Sequence, residues 1–339
     1  MKPGRCFPTT DGYSDMIIGQ EKSLQPFLKA LADPTRERIV LLLRNYELSV
    51  NEICNVLGMG QSRVSRHLKI LLDADVLDCR REGLSAYYSL VSGGRGLQCL
   101  TALFPFMYQE SIEADRRRAE AMLVQRGERT REFFNDIAPR WDDLKKKIFG
   151  DFDSNAFIAD LLHDIDCKTI VDLGCGTGDL INTIIERNLF SGDIIGVDNS
   201  PAMIELASRR FSESRKKPEL RIGSIEHLPL RDNEADCALL NCVLHHSPNP
   251  RETLCEINRA LKPGTTLVLV DFDRHDMAGF SKDYGDLWLG FDKKSLCRWL
   301  HAGGFEVRRY DAVSIGSNMA LHILLSEKMR GLHGIEATA

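Results

Sequence analysis

The run Val171-Asp-Leu-Gly-Cys-Gly-Thr-Gly-Asp-Leu180 constrains this chain more than any other stretch. An apolar segment enters glycines at alternate positions, Gly174, Gly176 and Gly178, and a helix-compatible segment follows. Such a turn lets backbone approach a ligand without Cβ clashes and aims the free N–H groups of a helix start at it. A dinucleotide fingerprint needs glycine at 174, 176 and 179, and position 179 is Asp. The spacing therefore disfavours NAD and FAD. Twenty residues past Gly178, Ile194-Ile-Gly-Val-Asp198 reads as a short buried strand ending in an acid that can accept both hydroxyls of a ribose. Ser200 and Pro201 then read as an N-cap and a first helical residue.

At 339 residues the chain has room for two domains and a linker. Its 43% hydrophobic content and mean hydropathy of −0.22 describe a globular protein. No apolar run reaches the roughly eighteen residues of a membrane span, and the N-terminus lacks a charged-then-apolar leader pattern, so a cytoplasmic location without membrane contact is expected. The ten cysteines are scattered without a C-x-x-C pair, which fits free thiols in a reducing compartment. A net charge of −5 gives no global sign of nucleic acid, so local patterning has to decide.

Residues 1–20 read as a loose arm. From Lys22 to Leu90 the text becomes short helices, with Gly58 able to stop the one over Leu48–Leu57 and a second helix following from Gly60 to Leu72. Two helices across a tight glycine turn make a helix-turn-helix candidate. On the second, Val64, Leu68, Leu71 and Leu72 share one face, while Ser62, Arg66 and Lys69 share the other. A polar, basic face suits the major groove: Gln61 and Arg66 would reach base edges, and Ser62, Arg63 and Ser65 would hold phosphates or bases. His67 lies at the flank, where packing competes with base contact. Val76–Leu90 alternates around Glu82-Gly83 and reads as a hairpin, a wing whose Arg80 and Arg81 would sit near phosphates. Between Glu21 and Leu97 eleven Lys and Arg face nine Asp and Glu, a local +2.

Ala30-Leu-Ala-Asp-Pro-Thr-Arg36 and Gln61-Ser-Arg-Val-Ser-Arg-His-Leu68 resemble the winged helix of the ArsR/SmtB repressor family. The resemblance implies a dimer on a double-stranded DNA operator. The chain departs from that family at its metal sites: Cys54 stands alone near the third helix, and residues 92–126 contain no His. No metal site is therefore expected. The segment from Gly96 to Arg126, apolar first and charged later, serves either as a dimer interface or as packing against its own domain.

From Arg131 to Glu327 strands and helices alternate, which implies a mostly parallel sheet covered on both faces. The expected strands are 169–173, 194–198, 220–224, 236–243, 266–272, 306–314 and 320–326. Their number, the glycine run and Asp198 together resemble the class I S-adenosylmethionine-dependent methyltransferases. That resemblance carries cofactor contacts to Asp172, Gly174, Cys175, Gly176, Gly178, Asp198, Asn199, Ser224, Ile225 and Asn241. Ser224 replaces the family's usual adenine-binding acid, with Glu226 close by. Leu240–Pro248 resembles the small-molecule methyltransferases of quinone biosynthesis, with His245 and His246 where an acceptor enters, either deprotonating it or capping the loop. Phe133–Asp142 resembles the lid helix of those enzymes, or is linker packing.

The expected fold class is α/β: an N-terminal winged helix-turn-helix domain at 21–95, a linker or dimerisation helix at 96–128, and a C-terminal Rossmann-like seven-stranded class I methyltransferase domain at 129–330. The expected function is an ArsR-type transcriptional regulator that binds S-adenosylmethionine or S-adenosylhomocysteine and controls methionine or methyl-cycle genes. A small-molecule methyltransferase with a regulatory DNA-binding domain is the alternative. An arsenite methyltransferase is disfavoured because Cys175, Cys237 and Cys242 do not reproduce that group's cysteine set, and a nucleic-acid methyltransferase because the Asn-Pro-Pro-aromatic motif is missing.

Overall fold

The computed structural model describes residues 24–82, 85–91, 93–107, 112–150, 152–275, 277, 285–315 and 319–330. The arm expected at 1–20 lies outside them. The first domain comprises α1 (Leu24–Leu31), α2 (Pro34–Leu43), β1 (Leu48–Ser49), α3 (Val50–Leu57), α4 (Gln61–Asp73), β2 (Leu77–Glu82) and β3 (Ser85–Leu90). Local chemistry sets its boundaries. Asp33 caps α2 by accepting from the N–H groups of Thr35 and Arg36, and Pro34 occupies the first turn. Ser49 and Glu52 form a capping box on α3, which Gly58 ends in the left-handed region at φ 66°. The wing pairs antiparallel from Leu77↔Leu90 to Glu82↔Ser85, and β1 joins its outer edge through β3. Ile39, Leu43, Ile53, Val64, Leu68 and Leu71 form the centre of this domain's core.

After the wing come α5 (Gly94–Leu103), a short 3₁₀ turn at Phe104–Phe106 containing Pro105, and α6 (Ile112–Ile137). The single helix expected over 96–126 is thus two, and α6 does not stop at a domain boundary near 128. Its 26 residues, about 39 Å at 1.5 Å per residue, run through Gly127 and into the expected lid segment, so linker and lid share one rod. Its first half is fastened to the winged helix. Arg38 donates to both oxygens of the fully buried Asp115 at 2.8 Å each, Arg118 donates to Val56 O, and Arg126 pairs with Glu52. Bidentate pairing of a buried carboxylate is the strong form of this interaction.

The second domain continues with α7 (Trp141–Phe149), α8 (Ser154–Leu161), β4 (Thr169–Leu173), α9 (Asp179–Glu186), β5 (Asp193–Asp198), α10 (Pro201–Arg210), β6 (Glu219–Ile222), β7 (Ala235–Asn241), α11 (Pro250–Ala260), β8 (Leu261–Phe272), α12 (Lys293–Ala302), β9 (Phe305–Ile315) and β10 (Met319–Lys328). Among the described residues the sheet has seven strands in the order β6-β5-β4-β7-β8-β10-β9, with β10 antiparallel to both neighbours and the other pairs parallel. The chain moves outward from β4 to β6 and returns to β7 on the other side, so a crevice opens beyond the carboxyl ends of β4, β5 and β7. Two strands stop short of their expected ends for reasons that build this crevice. Gly223 N–H turns back to Asp198 O after β6, and Cys242 adopts φ 55° after β7. Among the described residues no helix is long and apolar enough to cross a membrane.

The two domains touch through the base of the wing. Arg80↔Tyr87 is a register pair, and strand alternation puts both side chains on the face turned toward Trp288. The Arg80 guanidinium lies 5.0 Å from the Tyr87 ring and 4.8 Å from the Trp288 ring, with the two rings 5.5 Å apart.

Candidate functional site

The crevice opens about 1230 Å³ of space, counted out through its solvent-filled mouth. Its floor is the loop between β4 and α9, where the three glycines have different duties. Gly174 lies under Val243, whose methyl carbon would sit 2.6 Å from a Cβ, and Gly178, at φ 80°, abuts the Phe211 ring at the same distance. Those two permit close packing of strand and helix. Only Gly176 faces open space, with Trp141 Nε1 the nearest atom to its would-be Cβ at 3.8 Å. Asp172, Gly174, Cys175, Gly176, Asp198, Asn199, Ile225 and Asn241 line the crevice as the sequence suggests. Gly178 and Ser224 do not: Gly178 caps α9 behind the wall, and Ser224 bridges to His227 while Glu226 takes the wall position.

Asp198 holds the loop in shape. Its Oδ2 accepts from Gly176 N–H and its Oδ1 from Ser200 N–H, both at 2.8 Å. A lone pair remains on this carboxylate for a hydroxyl from the crevice. Burial raises its pKa, and the N–H groups of Ser200, Gly176 and Asn199 oppose that rise. Burial pushes Asp172 up to about 7, with Asp198 and Asp179 adding to it and Lys145 working against it. Burial also holds the Cys175 thiol well above its usual range, which leaves it a poor nucleophile.

Asn241 donates from Nδ2 to Asn155 Oδ1 at 3.0 Å and Ser154 Oγ at 3.3 Å. Its Oδ1, like Thr177 Oγ1, is buried on the crevice wall with no hydrogen-bond partner among the described residues. Orphaned buried acceptors are costly unless a ligand completes them. An S-adenosyl nucleoside offers complementary groups: ribose hydroxyls for Asp198, an ammonium for Asn241 Oδ1 and Asp172, and an adenine amino group for Glu226. Burial raises the Glu226 pKa, while Ser247 Oγ donates to it at 2.8 Å and favours its charged form. The residues fit that group.

At the far end stand His245 and His246. His245 Nδ1 lies 2.7 Å from Asp271 Oδ1, and its backbone N–H also meets Asp271. Burial lowers the His245 pKa, but Asp271 and Asp286 outweigh it and hold it above the usual value. His246 goes the other way: burial first, then the charge of His245, hold it well below. Phe134, near the end of α6, meets the His246 ring edge-on at 4.8 Å. Asp286 was not visible as a partner in the sequence, since it lies forty residues further on. Only the fold brings it beside the pair.

On the first domain Gln61, Ser62, Arg63, Ser65, Arg66 and Lys69 are exposed along α4, opposite its buried Val64, Leu68 and Leu71. Arg81 is exposed on the wing. Two expected contacts depart from this surface. His67 is half-buried with Nδ1 3.7 Å from the Asp33 carboxylate that caps α2. Arg80 has only 13% of its side chain exposed, pairs with Glu47 at 2.8 Å and is sandwiched by Tyr87 and Trp288. It serves the domain interface and is withdrawn from the wing's outer face.

A family model described as a bacterial regulatory protein of the arsR family matches residues 33–78, and one described as a methyltransferase domain matches 166–298. The chain joins an arsR-family regulatory domain to a methyltransferase domain. Relatives of this fusion include an uncharacterized 37.1 kDa protein in transposon TN4556 of Streptomyces fradiae, 38% identical over 35% of this chain and 34% of that protein. The ubiquinone/menaquinone biosynthesis C-methyltransferase UbiE of Geobacter sp. (strain M21) is 28% identical over 48% of this chain and 71% of its own. The demethylmenaquinone methyltransferase of Lactococcus lactis is 33% identical over 45% and 62%. The fusion therefore spans about a third of the transposon protein and under two thirds of the Lactococcus enzyme. A SAM-dependent methyltransferase from Aquifex aeolicus overlays 56% of the fusion and 97% of its own chain, at 18% identity and a TM-score of 0.45.

Proposed function

We propose that the fusion is a transcriptional regulator that binds S-adenosylmethionine or S-adenosylhomocysteine in the crevice, methylates a small acceptor there, and changes its hold on a double-stranded DNA operator with the ligand bound. Methionine and methyl-cycle genes are the targets this ligand suggests, and a cytoplasmic homodimer is the form that would read a palindromic operator. One observation carries the reading. The helix that walls the crevice at Gly127, Thr130 and Phe134 is the helix bolted to the winged helix at Asp115 and Arg126.

A bound S-adenosylmethionine supplies a methyl group on a sulfonium leaving group. The chain's task is to hold and orient. Asp198 takes the ribose hydroxyls, and Asn241 Oδ1 with Asp172 takes the ammonium. Phe134 and Trp141, 5.6 Å apart, exclude water over the loop. An acceptor enters beside His246, whose neutral imidazole takes up any proton it carries. Ordering of α6 against the ligand then transmits occupancy to the winged helix. The enzyme reading is separable from a pure sensor: an enzyme releases S-adenosylhomocysteine when an acceptor is supplied, and a sensor does not.

The raised pKa of Asp172 has a direct consequence. The carboxyl is protonated below about 7 in the free protein, and only the ionised form attracts an ammonium. Affinity for the nucleoside should therefore rise about fivefold from pH 6 to pH 7 and level off above. Calorimetry at those pH values checks it, and a flat profile rejects Asp172 as the partner. The DNA face makes a contrasting pair. Arg66→Ala should weaken the tightest sequence selected from a random DNA pool about 10–100-fold. Arg80→Ala should leave the salt dependence of DNA binding unchanged, because Arg80 is held at the domain interface by Glu47, Tyr87 and Trp288.

A further inference from the structure

The acceptor end of the crevice gathers two imidazoles and a carboxylate around one point. His245 Nε2 lies 3.6 Å and His246 Nδ1 3.7 Å from the same atom, Asp286 Oδ1, and the three donor atoms lie within 4.8 Å of one another. Both separations exceed hydrogen-bond length, yet the atoms converge on a common point, and His246 Nδ1, 3.3 Å from Gly285 O, offers its lone pair there once the ring proton moves to Nε2. With metal–ligand bonds of about 2.0–2.2 Å, neighbouring ligand atoms stand roughly 3.0–3.5 Å apart, so a small inward movement closes the set on one ion.

The backbone fixes this convergence. Leu287 and Trp288 both donate their N–H to His245 O at 3.1 Å, which staples the segment carrying Asp286 onto the histidine turn. Behind His245, Asp271 accepts at Nδ1 and is itself held by Phe272 N–H at 2.7 Å. A carboxylate that fixes the far nitrogen of an imidazole, leaving Nε2 directed at a third group, is the outer shell of metal-ligating histidines. All three residues line the crevice.

We propose that His245, His246 and Asp286 form a binding site for a divalent cation of the zinc class, with Asp271 as the positioning residue behind His245. Two imidazoles and one carboxylate are borderline donors that suit zinc, cobalt, iron or manganese better than magnesium or calcium. Three protein ligands leave a coordination position open for a group from the crevice that these residues line. Its occupant is an oxygen, sulfur or nitrogen atom of the methyl acceptor, bound and acidified by the ion. The role in methyl transfer rests on the function proposed above, whereas ion binding stands by itself. The sequence led to no metal site because the winged helix lacks its relatives' ligands. This set lies in the other domain and draws its third member from a distant loop.

The test uses the full chain, freed of metal with a chelator and titrated with Zn²⁺ and with Co²⁺, whose visible absorption reports the donor set. We expect one ion per chain, and at least a 100-fold loss of affinity in Asp286→Asn and His246→Ala. Asp271→Asn should lose about 10–100-fold. Binding of S-adenosylhomocysteine, followed in parallel, should change less than threefold in Asp286→Asn, which also verifies the fold of that isosteric variant. No ion retained by the parent, or an ion retained equally by Asp286→Asn and His246→Ala, as cysteine-bound zinc would be, overturns the site. If the nucleoside binds and the ion does not, this inference alone fails. If the ion binds and the nucleoside does not, the site stands and the proposed function falls.

Discussion

Asp198→Ala should lower the affinity for S-adenosylmethionine and S-adenosylhomocysteine at least about 100-fold, because it removes a carboxylate serving both protein and ligand. The parent side chain holds Gly176 N–H and Ser200 N–H, and with them the shape of the loop that floors the crevice. Alanine leaves both donors unpaired in a buried setting and offers nothing to a ribose. Charge-assisted hydrogen bonds contribute about 1.5–3 kcal/mol each, so losing two accounts for the expected factor. Titration calorimetry measures it. DNA binding in the absence of nucleoside is the control, since the winged helix has its own core and should retain the parent's affinity. Parent-like nucleoside affinity in the variant would remove Asp198 from the cofactor site.

The second large effect is expected at Trp288. Its ring is 2% exposed, packs on Tyr87 and Phe291, covers Arg80, and donates from Nε1 to Ser247 O at 2.7 Å. Trp288 therefore ties the wing to the turn that carries His245 and His246. Trp288→Ala should cost about 3–5 kcal/mol of stability, seen as a lower midpoint in denaturant unfolding. Trp288→Phe keeps most of the packing but loses the indole donor, and gives the cleaner functional comparison. In that variant nucleoside and DNA should each still bind, while the influence of one on the other falls. A variant with undiminished coupling would assign all transmission to α6.

Much of this was legible in the sequence because local chemistry decided it. Gly58 marked the end of one helix and Ser200 with Pro201 the start of another, and the apolar runs around Val171, Ile195 and Leu239 marked buried parallel strands. Asp172, Asp198 and Asn241 were identifiable because crevice residues sit at strand ends, where the alternation of strand and loop is readable. Features set by distant contacts were not. Arg80 looks like a wing arginine until the fold places Trp288, some two hundred positions away, against it. Gly178 looks like a ligand glycine until Phe211 is seen beside it. The continuity of α6 was hidden by its mixed composition. It buries only Asp115, Ala119, Leu123 and Thr130, too few to mark an amphipathic face, and it is held by ion pairs to another element.

The central claim, that occupancy of the crevice is read by the winged helix, has a direct measurement. The affinity of the full chain for its selected DNA is determined by fluorescence anisotropy without ligand, with saturating S-adenosylmethionine, and with saturating S-adenosylhomocysteine. Coupling through α6 and Trp288 predicts a change of about 5–150-fold with at least one nucleoside, matched by an equal effect of DNA on nucleoside affinity and lost in Asp198→Ala. Identical DNA affinity under all three conditions, with nucleoside binding verified in the same samples, would contradict it.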